Sequence, residues 1–275
     1  MIRPRTRRLF TGLTVVIGLV YLLPLIWIVL TSLKTNTQVL TDPNALFFPP
    51  TLDVYFGVIG DGLGAIVTSL QIATLTTLVV LVVGVPAAFA LARRISTTWA
   101  RVIAVVLAVL LVLQMVPQPM TVIPLYSVLA NWGILGTLPG LILADIALML
   151  PFAIMLLRPF VLAIPPELYE AAQIDGAGAF QSFRSITVPM LSNGIVTVLS
   201  VVFISTWGEF IYAINFLPEG TVLPVSGLLA QQNSIYASSW NTLMALAVLT
   251  SLPLLIVFAF TQKRLINGLS LGAVK

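Results

Sequence analysis

Residues 9–33 contain no charged side chain. This run is long enough to cross a bilayer as a single helix, which takes about 20 mostly apolar residues. Five further stretches are nearly as apolar: 65–92, 102–126, 138–160, 194–216 and 243–262. Only 8% of the chain is charged and 59% is hydrophobic, against about 25% charged residues in a soluble domain. Too little polar surface remains to face water, so lipid is the expected solvent for most of the chain. Backbone groups in lipid must satisfy one another within a helix or a closed barrel. The expected fold class is therefore all-α, a polytopic membrane protein with six transmembrane helices.

The basic residues orient the spans. Arg3, Arg5, Arg7, Arg8, Arg93, Arg94, Arg101, Arg158, Arg184, Lys263, Arg264 and Lys275 fall on one side of a six-span arrangement. The other side has Lys34 alone, with Asp42, Asp53, Asp61 and Glu219. Lys and Arg are retained in cytoplasmic loops. The expectation is a multi-pass protein of the cytoplasmic (inner) membrane with both termini cytoplasmic. Thr6-Arg7-Arg8-Leu9-Phe10 has the look of a twin-arginine export signal. The apolar run behind it is too long for a signal core, and no A-x-A cleavage site follows, so it is read as the first span.

Composition excludes several functions. The net charge of +4 comes from few basic residues set between apolar runs, which does not describe a nucleic-acid surface. With no cysteine and no histidine there is no disulfide framework, thiolate or imidazole metal site, His-based acid–base catalysis or Ser-His-Asp triad. The phosphate-cradling pattern G-x-x-x-x-G-K-[ST] is absent, so the chain is not expected to hydrolyse ATP. No polar linker divides it, and it is read as one transmembrane domain over 1–275: an N-terminal span at 9–33 and core spans over 65–266, including an inner loop at 164–190.

That loop, 164–190, breaks the general apolarity. Pro165 and Pro166 suit a helix start, where a missing N–H costs nothing, and Glu167 suits the positive end of the helix dipole. Gly176 suits the left-handed turn that ends a helix. A second short helix is expected from Ala179 to Ile186, ended by Pro189. The loop is too polar to span a membrane and too apolar to lie free in water, as a docking element would be. A loop resting on lipid would carry basic residues toward the headgroups. This one sets Glu167, Glu170 and Asp175 against Arg184.

Glu170-Ala171-Ala172, Gly176, Ile186 and Val188-Pro189 have the spacing of the EAA loop, and the chain here resembles the permease subunits of ABC importers. Val188 departs from the usual Leu. Asp175-Gly176-Ala177 and Phe183 resemble the carbohydrate branch, the maltose-type permeases. Similar segments recur at Ile123-Pro124-Leu125-Tyr126, Gly133–Thr137, Gly140–Leu143, Leu150–Ile154, Leu223-Pro224-Val225 and Gly272–Lys275. In Trp207-Gly208-Glu209-Phe210 the family often has Asn where Gly208 stands. The resemblance implies a type I ABC importer permease, the shorter six-helix partner of a heterodimer with a second permease subunit. It also implies an ABC ATPase dimer and an extracytoplasmic solute-binding protein, which the outer loop at about 217–241 would contact. Glu170, Ala171, Ala172, Asp175, Gly176 and Phe183 would form the ATPase-coupling site. This chain would bind no cofactor; ATP and Mg would serve the partner ATPase. The implied solute is a di- or oligosaccharide, with glycerol 3-phosphate or glycerophosphodiesters as the alternative.

Charge within a span is costly and marks Asp145 and Glu209 as candidates. Glu209 is placed either to accept sugar hydroxyls, with Trp207 or Tyr212 stacking on the ring, or to bond a neighbouring helix. Asp145 lies toward the outer part of its span, where it is either functional or solvated. Gln114 with Pro117, Gln118 and Pro119 marks an interrupted third span that either faces the pathway or kinks for packing. An ion-coupled secondary transporter is the alternative of another class; it would show two related halves, and no internal repeat is visible.

Overall fold

The computed structural model describes residues 4–93, 96–218, 223–232 and 239–273, with side chains between 12 and 262. The charges of Arg3, Arg5, Arg7, Arg8, Arg94, Glu219, Lys263, Arg264 and Lys275, and the polar Asn233, lie outside what is described. In chain order the elements are α1 (Pro4–Ser32), α2 (Asn36–Thr41), α3 (Asp53–Ala92), α4 (Thr97–Met115) and α5 (Gln118–Asn131). Then follow α6 (Leu138–Leu162), α7 (Pro166–Ile174), α8 (Ala179–Ser182), a π-helical turn (Phe183–Thr187) and α9 (Val188–Met190). The chain continues through α10 (Ser192–Trp207), α11 (Ile211–Phe216), α12 (Val225–Gln231) and α13 (Trp240–Ala273). The described residues contain no strand.

Among the described residues, five helices are long and apolar enough to cross a membrane, six if the bent pair Ala179–Met190 and Ser192–Trp207 counts as one span. Two expected spans are broken. The third, expected at 102–126, divides at Val116-Pro117: α4 ends at Met115 and α5 starts afresh with Pro119 in its first turn. A proline ring clashes with the carbonyl four residues back and gives no N–H, and two prolines one residue apart, Pro117 and Pro119, favour a break here. The fifth, expected at 194–216, stops at Trp207, and α11 is a separate short helix after Gly208-Glu209-Phe210. The inner loop also differs from expectation. Pro189 does not end its second helix. The Val188 N–H bonds back to Phe183 O, a wider π turn, and helix resumes through Pro189 to Met190. The bend to α10, 72°, falls after it at Leu191.

The chain forms two compact units. One comprises the N-terminal stretch through Ala65 with Leu228–Leu252. Within it, Thr35 caps α2 and exchanges hydrogen bonds with Gln38, a capping box that satisfies two free N–H groups. Lys34 is 1% exposed. Its Nζ donates to Pro43 O at 2.7 Å and Asp42 O at 3.4 Å, 5.0 Å from the Phe48 ring centroid and 5.8 Å from that of Trp27.

The second unit, Ile66–Gly227 with the chain from Pro253 onward, holds the larger core. Toward the end of α3 that carries Phe89, the core packs Val80, Ala88, Ala153, Leu157, Val198 and Val202 from α3, α6 and α10. Toward the other end it packs Ile72, Leu129, Leu141, Ala144, Ala213 and Phe216. Lipid tails are as apolar as these side chains, so close packing and hydrogen bonds, not water exclusion, hold such helices together. Gly194 permits that approach: a Cβ there would lie 2.8 Å from Phe160 Cγ.

Candidate functional site

The loop at 164–190 folds as an elbow. Pro165 and Pro166 start α7. Beyond α7 the N–H of Ala177 bonds Ala172 O at 2.8 Å and that of Gly176 bonds Gln173 O at 3.0 Å, with Gly176 at φ 81°. This pair of bonds is the Schellman motif, which closes a helix on a left-handed residue. Glu167, Glu170, Ala171, Gln173, Asp175 and Gly176 are exposed and Ala172 is half-buried. Beside them stand two large apolar side chains in the open: Ile174, 87% exposed, and Phe180, 75% exposed. A cleft of about 690 Å³ lies beside α7, with Arg93, Tyr169, Glu170 and Gln173 among its lining.

The base of the elbow is fixed. Phe183 turns inward, its ring 5.3 Å from that of Phe89 on α3, and Tyr169 lies 6.3 Å from the same ring. The Tyr169 and Thr187 hydroxyls are 2.9 Å apart, and Thr187 is fully buried. Arg158 Nε donates to Leu91 O at 3.0 Å, filling a carbonyl at the end of α3 that its own helix leaves free. Phe183 is thus separated in role from Glu170, Ala171, Asp175 and Gly176: they face out, and it joins the elbow to α3.

The other candidates gather at the broken fifth span. Glu209 Oε1 accepts the Tyr212 N–H at 2.8 Å and Gln118 Nε2 at 2.7 Å, and Oε2 accepts the Ala213 N–H at 3.1 Å. The carboxylate therefore caps α11 and ties it to the start of α5, which supplies in lipid the acceptors that free N–H groups demand. Tyr212 is 1% exposed, bonds Thr121 through its hydroxyl and stacks on Phe216 at 5.1 Å. Trp207 is 5% exposed and stacks on Phe203 at 5.9 Å. Neither ring presents an open face in this conformation. Gln114 lies apart from them, exposed, and donates to Leu148 O at 3.3 Å. Asp145 is not solvated: it is 1% exposed and shares a narrow cavity with Glu209, Thr206 and Ser69.

Residues 84–270 match the family described as binding-protein-dependent transport system inner membrane component. The chain belongs to this family. The permease is 31% identical over 274 residues to the diacetylchitobiose uptake system permease protein DasC of Streptomyces coelicolor, covering 96% of this chain and 95% of that one. It is 32% identical over 266 residues to the trehalose transport system permease protein SugB of Mycobacterium tuberculosis, covering 95% of each. Among solved structures it resembles a bacterial ABC transporter involved in the import of the acidic polysaccharide alginate. That match has a TM-score of 0.67 and 16% identity and covers 95% of this chain and 96% of that one, a likeness of fold. The permease displays two residues that the motif did not single out, Ile174 and Phe180. Their signal in the sequence is slight: a large apolar side chain on either side of a glycine turn, in a loop that mixes apolar and charged residues. Lys34 was equally hidden, since nothing near it in sequence announces burial.

Proposed function

We propose that this permease serves an ATP-driven importer of a di- or oligosaccharide, taking energy from an ABC ATPase dimer through the elbow at α7 and α8. The observation that carries the reading is the elbow's two-sided construction. Ile174 and Phe180 stand exposed on the same loop as exposed Glu170, while Phe183 and Tyr169 fasten the base to Phe89 of α3. Two exposed apolar side chains and a carboxylate on one loop suit a partner cleft that offers an apolar seat and an Arg. Movement of the seat would pass through the Phe89 cluster to α3 and α6. ATP and Mg would bind the partner alone. A second permease subunit would complete the transmembrane pathway, and a solute-binding protein would deliver the sugar. A saccharide is favoured by the relatives named for diacetylchitobiose and trehalose uptake.

Orientation follows from the basic bias, with the elbow and both termini in the cytoplasm. Co-purification tests the central claim. The wild-type chain should recover an ATPase and a second permease, and Gly176→Val or Glu170→Arg should lose at least about nine-tenths of the ATPase. Reconstituted solute transport by this chain without ATP would overturn it.

A further inference from the structure

The narrow cavity around Asp145 has a composition that the importer reading does not use. Asp145 is 1% exposed, and neither of its carboxylate oxygens meets a donor among the described residues. Thr206 Oγ1, in the same wall, is also buried without a partner. Glu209 lines the cavity as an acceptor, both its oxygens already turned to N–H groups. Ser69 Oγ accepts the Val225 N–H at 2.8 Å and retains a further lone pair. Among the described residues, no Lys or Arg lines the space. Two residues with carboxyl groups and two with hydroxyls therefore line one cavity within the membrane core, with no positive charge among the described residues to balance them. A buried carboxylate without a partner is far costlier than a lost hydrogen bond.

A partner other than the acid's own proton must be positive, must bind oxygen and must be small. The cavity has no room for even one water molecule, whereas sites that enclose organic ligands run to roughly 300–1,000 Å³. Size thus excludes a sugar here. An all-oxygen donor set selects a hard cation. Magnesium keeps several of its waters, for which the cavity has no room, and both Glu209 oxygens already accept N–H groups, which leaves fewer free oxygens than the about 6–8 that calcium takes. We propose that Asp145, Thr206, Glu209 and Ser69 form a site for one dehydrated monovalent cation of sodium size. It joins α6 to the break between α10 and α11. Bound there, the ion locks the bent fifth span against α6 and belongs to the resting fold, not to the energy source.

Thermal unfolding of the full-length chain in detergent, followed by tryptophan fluorescence, tests the site in sodium chloride against choline chloride at equal ionic strength. Sodium should raise the midpoint by several degrees, saturably, as a ligand of the folded state does. Potassium should do less. Asp145→Asn and Thr206→Val should each unfold cooperatively in choline and lose the sodium response. Equilibrium binding of radioactive sodium should fall at least tenfold in Asp145→Asn. Equal midpoints in both salts with no bound sodium would overturn the proposal. So would sodium binding that survives Asp145→Asn, or an Asp145→Asn chain more stable than the parent in sodium, since the buried acid would then be satisfied by its own proton.

Discussion

Glu209 illustrates how a single side chain can hold a break open in a membrane span. The α10 helix ends at Trp207, and the N–H groups at the start of α11 would face lipid or apolar side chains without it. Both carboxylate oxygens accept an N–H, so replacing either by an amide leaves one donor without an acceptor. Glu209→Gln should therefore destabilise the permease by about 1–3 kcal/mol, the cost of one unsatisfied buried group. Unfolding midpoints taken in choline salts would check this. A side chain that served only the solute would raise KM and leave the midpoint unchanged. Lys34 permits a second prediction. Its ammonium bonds two loop carbonyls and rests between aromatic rings. Lys34→Met should cost about 1.5–3 kcal/mol, the worth of a hydrogen bond to a charged group, and hydrogen exchange should speed up in residues 36–50.

Among the elements, the elbow separates contact from transmission. Ile174 and Phe180 are the exposed tips, and Phe183 is the inward joint. Ile174→Ser with Phe180→Ser should abolish ATPase recovery in pull-downs, because the exposed tips supply the apolar anchors. Phe183→Ala should leave the complex assembled but cut solute-stimulated ATP hydrolysis at least threefold, because the lever loses its attachment to Phe89. Helix packing sets a further limit at Gly194, where a Cβ would already crowd Phe160. Gly194→Leu should cost about 1–3 kcal/mol by overpacking, and Phe160→Ala in the same chain should restore part of it. Thermal midpoints of the single and double variants provide the measurement.

Across the whole molecule, orientation is open to a direct test because the chain has no cysteine. Trp132 and Ile174 are both exposed, at 63% and 87%, and lie at opposite ends of α6. A membrane-impermeant maleimide should label Trp132→Cys in intact cells and Ile174→Cys only after permeabilisation. The reverse pattern would place the elbow outside and remove the basis for coupling to a cytoplasmic ATPase.

The apolar runs, the basic bias and the Gly176 turn were legible from the sequence because each is a property of neighbouring residues. A span needs only enough consecutive apolar side chains, and a Schellman turn needs only a glycine at the right place. Tertiary structure alone decided that Asp145 is buried, that Phe183 faces α3 and that Lys34 lies between rings. It also decided that Glu209 is committed to α11 and Gln118, a partner 91 residues away. Local sequence marks the third span as breakable, by its prolines, whereas the fifth reads as continuous and its break at Gly208-Glu209 appears only in the structure. What fills the broken ends depends on which distant donors and acceptors the packing brings within about 3 Å, the reach of a hydrogen bond.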